Sequence, residues 1–111
     1  MRKFINIALF VFFIKEFARL VTLLKSILLS LLFIIIGCGF LFAYIEQIDI
    51  FDALYFIFIT ATSVGYGDIV PITLIGKIIS ISAGFIGLIF IGLTVGIATV
   101  AVKETYKYHL D

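Results

Sequence analysis

Apolar residues fill most of this chain, and the few polar interruptions divide it into segments. Residues 4 to 14 are almost wholly apolar, yet 11 residues of helix reach only about 16 Å, half of a bilayer core. From 15 to 25 the pattern becomes amphipathic: Lys15, Arg19, Thr22 and Ser26 recur at spacings of three and four, with Phe17, Leu20, Val21 and Leu24 elsewhere on the helix. Residues 1–25 therefore predict an N-terminal interfacial amphipathic helix lying at the membrane surface. The rival, a third span over 4–24, puts Lys15, Glu16 and Arg19 at membrane depth, at about 2.5–3.5 kcal/mol per unpaired charge near the centre. Residues 26–45 carry no charge and are long enough for one full crossing, an outer helix. The polar link EQIDIF follows, then a short apolar and aromatic helix over 51–62 that is too short to cross. Asp49 is placed to cap it and Asp52 to favour its positive N-terminal end. The loop TSVGYGDIVP comes next, with filter residues 63–67 and Pro71 helping to turn the chain. Residues 74–102 form a second long apolar run, broken only by Lys77. A polar tail, KETYKYHLD, closes the chain at 103–111.

Composition turns this pattern into a solvent assignment. The 111 residues are 64% hydrophobic and 14% charged, against about 45–50% apolar and about 25% charged in ordinary soluble domains. A soluble fold of this size cannot hide so much apolar surface, so the chain reads as an all-α integral membrane protein. A net charge of +1 argues against a nucleic-acid binder. Cys38, the single cysteine, lies in an apolar run and reads as a small buried hydrophobe. Arg2 and Lys3 resemble the start of a signal peptide, but no small-residue cleavage site follows, so the segment is expected in the mature protein. Arg2, Lys3, Lys15, Arg19 and Lys25 precede the first span and Lys103 and Lys107 follow the second. The positive-inside rule then places both termini in the cytoplasm of a cell-membrane protein. Glu46, Asp49, Asp52 and Asp68 belong near the outside.

Between these spans the loop TSVGYGD needs partners. Non-helical backbone at membrane depth survives only when buried in protein or lining a water-filled cavity. One chain with two spans cannot enclose a cavity, so several copies around a closing rotation axis are required. Their loops can aim carbonyl oxygens at that axis, where rings of carbonyls replace a cation's hydration shell. Gly65 and Gly67 reach positive φ without a Cβ penalty, the Ser63 hydroxyl adds an oxygen ring, and the half-crossing helix points its negative end at the cavity.

TATSVGYGD resembles the signature of the potassium-channel family, and the similarity runs from DALYF through IVPITLIGK into the glycine-bearing last helix. The architecture is similar to that of simple two-transmembrane prokaryotic channels. The resemblance implies a fourfold homotetramer in the lipid bilayer, with a re-entrant pore helix and selectivity filter between the two transmembrane helices. It implies K+ as the permeant ion, bound by backbone carbonyls of Ser63, Val64, Gly65 and Tyr66 and by the Ser63 hydroxyl, with no other cofactor. Thr62, Gly67 and Asp68 support the filter in that reading, Asp68 standing at its outer mouth. Three departures bear on the support. Ser63 stands where threonine is commoner. Ile59 stands where some prokaryotic members carry a glutamic acid behind the filter. Phe56 replaces a tryptophan that donates to the filter tyrosine, which leaves Tyr55 to support Asp68 or a neighbouring strand. Gly87 matches the family's gating hinge.

In the last span, Gly92 and Gly96 form a GxxxG that lets helices pack closely. Leu88, Ile91, Val95 and Thr99 can share one face, either lining the cavity or packing against lipid or the outer helix. No arginine-rich span suggests a voltage sensor, and no regulatory partner is identified. His109 near Glu104, Lys107 and Asp111 reads as a proton sensor or as a solvated tail residue, and Tyr106 and Tyr108 as interface markers. With one histidine and neither a nucleophile elbow nor a phosphate loop ending in GK[ST], no catalytic residues are expected and the chain is not read as an enzyme. The expected function is passive, potassium-selective conduction. A weakly selective monovalent cation channel, or a non-conducting regulatory membrane subunit, are the alternatives.

Overall fold

The computed structural model describes residues 2–110, with side chains described for residues 2–107. The side chains of Tyr108 and His109, and all of Asp111, lie outside the described residues. Among the described residues the secondary structure is helical throughout: α1 (Arg2–Leu23), α2 (Lys25–Glu46), α3 (Ile50–Ala61) and α4 (Leu74–Leu110). α2 and the Leu74–Lys107 part of α4 are long and apolar enough to cross a membrane. At 22 residues α2 is about 33 Å long, one bilayer core. The 12 residues of α3 reach only about 18 Å. The chain has the make-up of an integral membrane protein.

Two compact units share these helices. One comprises Leu29–Ile91, and the other comprises the chain up to Leu28 together with Gly92 onward. The Leu29–Ile91 unit holds a core of Ile35, Phe42, Ala53, Phe56, Ile57, Ala61, Ile79 and Ala83, drawn from α2, α3 and the first half of α4. The rings of Phe42 and Phe56 stack with centroids 4.5 Å apart, an arrangement that adds about 0.5–1.5 kcal/mol to the burial itself. Small residues set the helix spacing. A Cβ at Gly39 would come within 2.7 Å of Leu54 Cδ2, so its absence brings α3 close to α2. A Cβ at Gly87 would press against the Ala61 carbonyl oxygen and sit within 2.6 Å of the Ala61 Cα and carbonyl carbon. Ala61 and Ala83 are buried beside it.

In the other unit α1 packs against the second half of α4. Leu9, Phe10 and Phe13 share an apolar pocket of 220 Å³ with Val102, Thr105 and Tyr106. Leu20 and Leu24 share a second, of 310 Å³, with Gly92, Leu93, Gly96, Ile97 and Val100. Rising numbers in α1 meet falling numbers in α4, so the pair runs antiparallel. Among the described residues Ile97, Ala101 and Thr105, spaced by four, are the buried α4 residues of this unit. The Thr105 hydroxyl donates to the Ala101 carbonyl at 2.7 Å, which satisfies it inside that face. Glu16 and Arg19 form a 2.6 Å ion pair on α1.

Two boundaries differ from those the sequence suggests. The last helix does not stop at 102 but runs on to Leu110. Nothing after Gly96 breaks it, and Ala101 and Thr105 extend its packed face. Between α1 and α2 only Leu24 leaves helical geometry. Bonds from Leu24 N–H to Leu20 O and from the Ile27 and Leu28 N–H groups to Leu24 O carry the chain across.

Candidate functional site

The loop between α3 and α4 is built from both ends. Asp49 caps α3: its side chain accepts the Phe51 N–H at 3.0 Å, and Asp52 stands in the first turn. At the other end Thr62 is the C-cap. Both its N–H and its hydroxyl donate to the Phe58 carbonyl, at 3.0 and 2.7 Å. Ser63 then turns left-handed, with φ +65°, and its N–H donates to the Thr60 carbonyl at 3.1 Å. This is the inner bond of a Schellman-type ending. A second closing bond comes from Gly65, whose N–H reaches the Ile59 carbonyl at 3.0 Å. A left-handed residue other than glycine costs about 1–2 kcal/mol, and these closures hold Ser63 there.

Positive φ recurs at every second residue of the loop: Ser63 at +65°, Gly65 at +55° and Gly67 at +84°. Alternation of right- and left-handed residues gathers N–H groups on one side of a backbone and so leaves carbonyls toward the other. Val64 is 53% exposed and Tyr66 71%. The chain by itself does not cover this loop.

The limb after the loop is tethered twice. The Tyr55 phenol donates to Asp68 Oδ2 at 3.0 Å. Further on, Glu46 at the end of α2 accepts the Ile72 N–H at 2.6 Å on Oε1 and the Thr73 N–H at 2.9 Å on Oε2, and the Thr73 hydroxyl also donates to Oε2. Thr73 Oγ1 in turn accepts the Gly76 N–H at 2.9 Å and so caps α4. A Cβ on Gly76 would collide with the Glu46 carboxylate.

The sequence-derived residues fall as follows. Ser63, Val64, Gly65, Tyr66 and Gly67 form the exposed alternating stretch, and Thr62 is the cap beneath it. Tyr55 meets Asp68. Ile59 touches the loop through its backbone carbonyl. Phe56 lies in the core against Phe42. Gly87 lies within an unbroken helix, and the structure gives it a role in close approach to Ala61. On α4, Leu88, Val95 and Thr99 are exposed and Ile91 is half-buried. A Cβ at Gly92 or Gly96 would meet nothing within 4 Å. Among the described residues no cluster of His, Cys, Asp or Glu could hold a metal ion. The bonding role of Glu46 has no signature in the sequence, because its partners lie 26 and 27 residues away. The only local signal is a threonine before an apolar run, at Thr73.

The ion channel family model matches residues 29–104. The chain is 49% identical over 48 residues to a "Voltage-gated potassium channel" of Aeropyrum pernix, covering 43% of this chain and 16% of that protein. It is 42% identical over 48 residues to "Probable potassium channel protein 2" of Methanocaldococcus jannaschii, covering 43% and 14%. To "TWiK family of potassium channels protein 9" of Caenorhabditis elegans it is 35% identical over 82 residues, covering 71% and 13%. The matched stretches thus span 16% or less of these much longer relatives. No solved structure gives a significant match.

Proposed function

The chain belongs to the ion channel family, and from that premise we propose that it is the pore-forming part of a potassium-selective channel that conducts K+ passively. The observation that carries this reading is the alternation of positive φ through Ser63, Gly65 and Gly67, on a polar loop between two helices long enough to cross a membrane. Four copies around one axis cover the loop that a single copy leaves exposed. Their Ser63, Val64, Gly65 and Tyr66 carbonyls then form stacked oxygen rings that replace the water shell of K+, and the Ser63 hydroxyl adds the innermost ligands. Adjacent sites let an entering ion displace one ahead of it. α3 is the re-entrant pore helix, and the negative end of its dipole, at Ala61 and Thr62, favours a cation in the cavity below. Leu88, Ile91, Val95 and Thr99 line that cavity, and Gly87 is where α4 bends if the inner helix gates. Both termini face the cytoplasm, and α1 runs beside the second half of α4.

The test is flux through purified protein in liposomes loaded with potassium and diluted into sodium, with barium as blocker. Barium-sensitive flux that collapses when sodium replaces internal potassium is the expected result. Equal flux with sodium would discard selectivity and point to Ser63. No flux at any pH on either side would sink the pore.

A further inference from the structure

α1 is apolar on two faces. Leu9, Phe13, Leu20 and Leu24 line the hollows it shares with α4. On the opposite face Phe4, Ile7, Val11 and Ile14 recur at spacings of three and four, the pattern of a coiled-coil seam, with no charge among them. All four are exposed, Phe4 by 79% and Ile7 by 61%. A helix at a water surface keeps one face polar, and a helix apolar all round is a covered one. Beside this stripe lies the 220 Å³ hollow between α1 and α4, walled by Leu9, Phe10, Phe13, Val102, Thr105 and Tyr106. Its walls are apolar, and the Thr105 hydroxyl is already bonded to the Ala101 carbonyl. One copy thus presents an uncovered apolar ridge and an unfilled apolar hole.

We propose that the α1 ridge of each copy docks on the next copy around the pore axis, with Val11 and Ile14 entering the hollow between that copy's α1 and α4. The inference rests on the pore reading above, which supplies the ring and the orientation. Lipid is out of reach in that reading. The charge-free run 26–45 of α2 ends at Glu46, which bonds Ile72 and Thr73, so α4 starts at the outer edge of the hydrocarbon that α2 crosses. Val102 lies about 42 Å from Leu74 along α4, and a tilt of about 20° shortens this to about 39 Å. The far side of the inner headgroups is only about 36 Å from that edge. The hollow and the ridge beside it therefore stand past the bilayer, where a contiguous apolar face marks a protein contact. Rotation about the axis keeps every residue at its own height. Val11 thus meets the next copy at the level of that copy's Phe10 and Phe13, where the hollow opens. Ridge and hole are unlike surfaces, and such a head-to-tail contact closes into a ring when the rotation does. The seam adds a hold between copies outside the membrane, independent of the loop.

Cysteine pairing in liposomes tests the seam, in the full chain with its one free cysteine removed by Cys38→Ala. Val11→Cys together with Val102→Cys, under a mild oxidant, is expected to give two-, three- and four-chain bands on a denaturing gel, and either cysteine alone to stay mainly at one chain. Phe10→Trp puts a single tryptophan into a chain that has none. Its emission is expected to be that of a buried indole and to keep its intensity in vesicles with brominated acyl chains. Val11→Glu is expected to lower the temperature at which tetramers separate in detergent. Tetramers that carry potassium flux yet fail to cross-link through the pair would overturn the seam. So would a Phe10→Trp signal quenched by brominated lipid, which makes lipid the occupant, or one emitting as in water, which leaves the ridge bare. Should the cysteine pair fail to assemble, the Phe10→Trp emission decides. A wild type with neither potassium flux nor a four-chain mass would overturn the pore reading itself, and so is told apart from failure of the seam.

Discussion

Phe56 illustrates how a side chain's neighbours decide its role. At the position where the family resemblance leads one to expect a tryptophan, this chain has a phenylalanine, and its ring lies 4.5 Å from that of Phe42 in the core. Phe42 is wholly buried and Phe56 nearly so. Phe56→Trp is therefore expected to overpack this site, lowering stability by about 1–3 kcal/mol without adding a hydrogen bond to the loop. Thermal melting in detergent would check it, and a variant more stable than the wild type would contradict it. The neighbouring aromatic, Tyr55, does reach the loop: its phenol donates to Asp68 at 3.0 Å. That pairing is legible in the sequence as one of two options, because an aromatic with a polar tip stands one helical turn into α3 and an acid stands just past the loop. Ser63 is not legible as a left-handed residue. Its φ follows from the helix ending beneath it, where Thr60 and Ile59 supply the closing carbonyls.

Helix packing at Gly87 separates two explanations of one glycine. Any side chain there meets the backbone of Ala61, and backbone cannot step aside as a flexible side chain can. Gly87→Ala should push α4 from the end of α3 and lower the melting temperature, by an amount matching about 1–3 kcal/mol. At Gly84 nothing lies within 4 Å of the position a methyl would take, so Gly84→Ala is expected to be neutral or to gain about 0.5–1 kcal/mol of helix propensity. A Gly87→Ala protein that melts like the wild type but opens less often would make bending, and not close approach, the reason for that glycine. α2, α3 and α4 are readable as elements because each has an unmistakable apolar length, and Asp49, Pro71 and Thr73 supply caps or breaks between them. The far end of α4 is not readable. Polarity alone marks 103–111 as a tail, yet Lys, Glu and Thr sustain a helix when one face, here Ala101 and Thr105, still packs.

At the scale of the whole molecule, the surface that one copy leaves uncovered bears on the proposed assembly. Phe33, Phe85 and Tyr66 are each well over half exposed, the first two on spanning helices and the third on the loop. Lipid accounts for apolar exposure on the spans, but not for polar backbone at 62–68. In the proposed pore a fourfold homotetramer would cover that loop, and native mass spectrometry from detergent is expected to give four chain masses. A monomer or dimer that still carries potassium flux would refute the ring. Orientation belongs to the same scale. With Lys77 the only basic residue between the two flanking clusters, a cysteine-accessibility label at Lys103→Cys should react only from the cytoplasmic side, and reaction from outside would reverse the topology.

The amino-acid sequence by itself determined the membrane setting, the two spans, the half-length helix and the positive φ at the loop glycines. Each of these depends on local quantities: apolar length against bilayer thickness, capping residues next to helix starts, and glycines spaced for positive φ. Only the tertiary structure decided what Glu46 holds, why Gly87 has no side chain and where the Phe56 ring turns. It also brought α1 alongside the second half of α4. These are contacts between residues far apart in sequence, and hydrophobic periodicity says nothing about them in a chain where nearly every helical face is apolar.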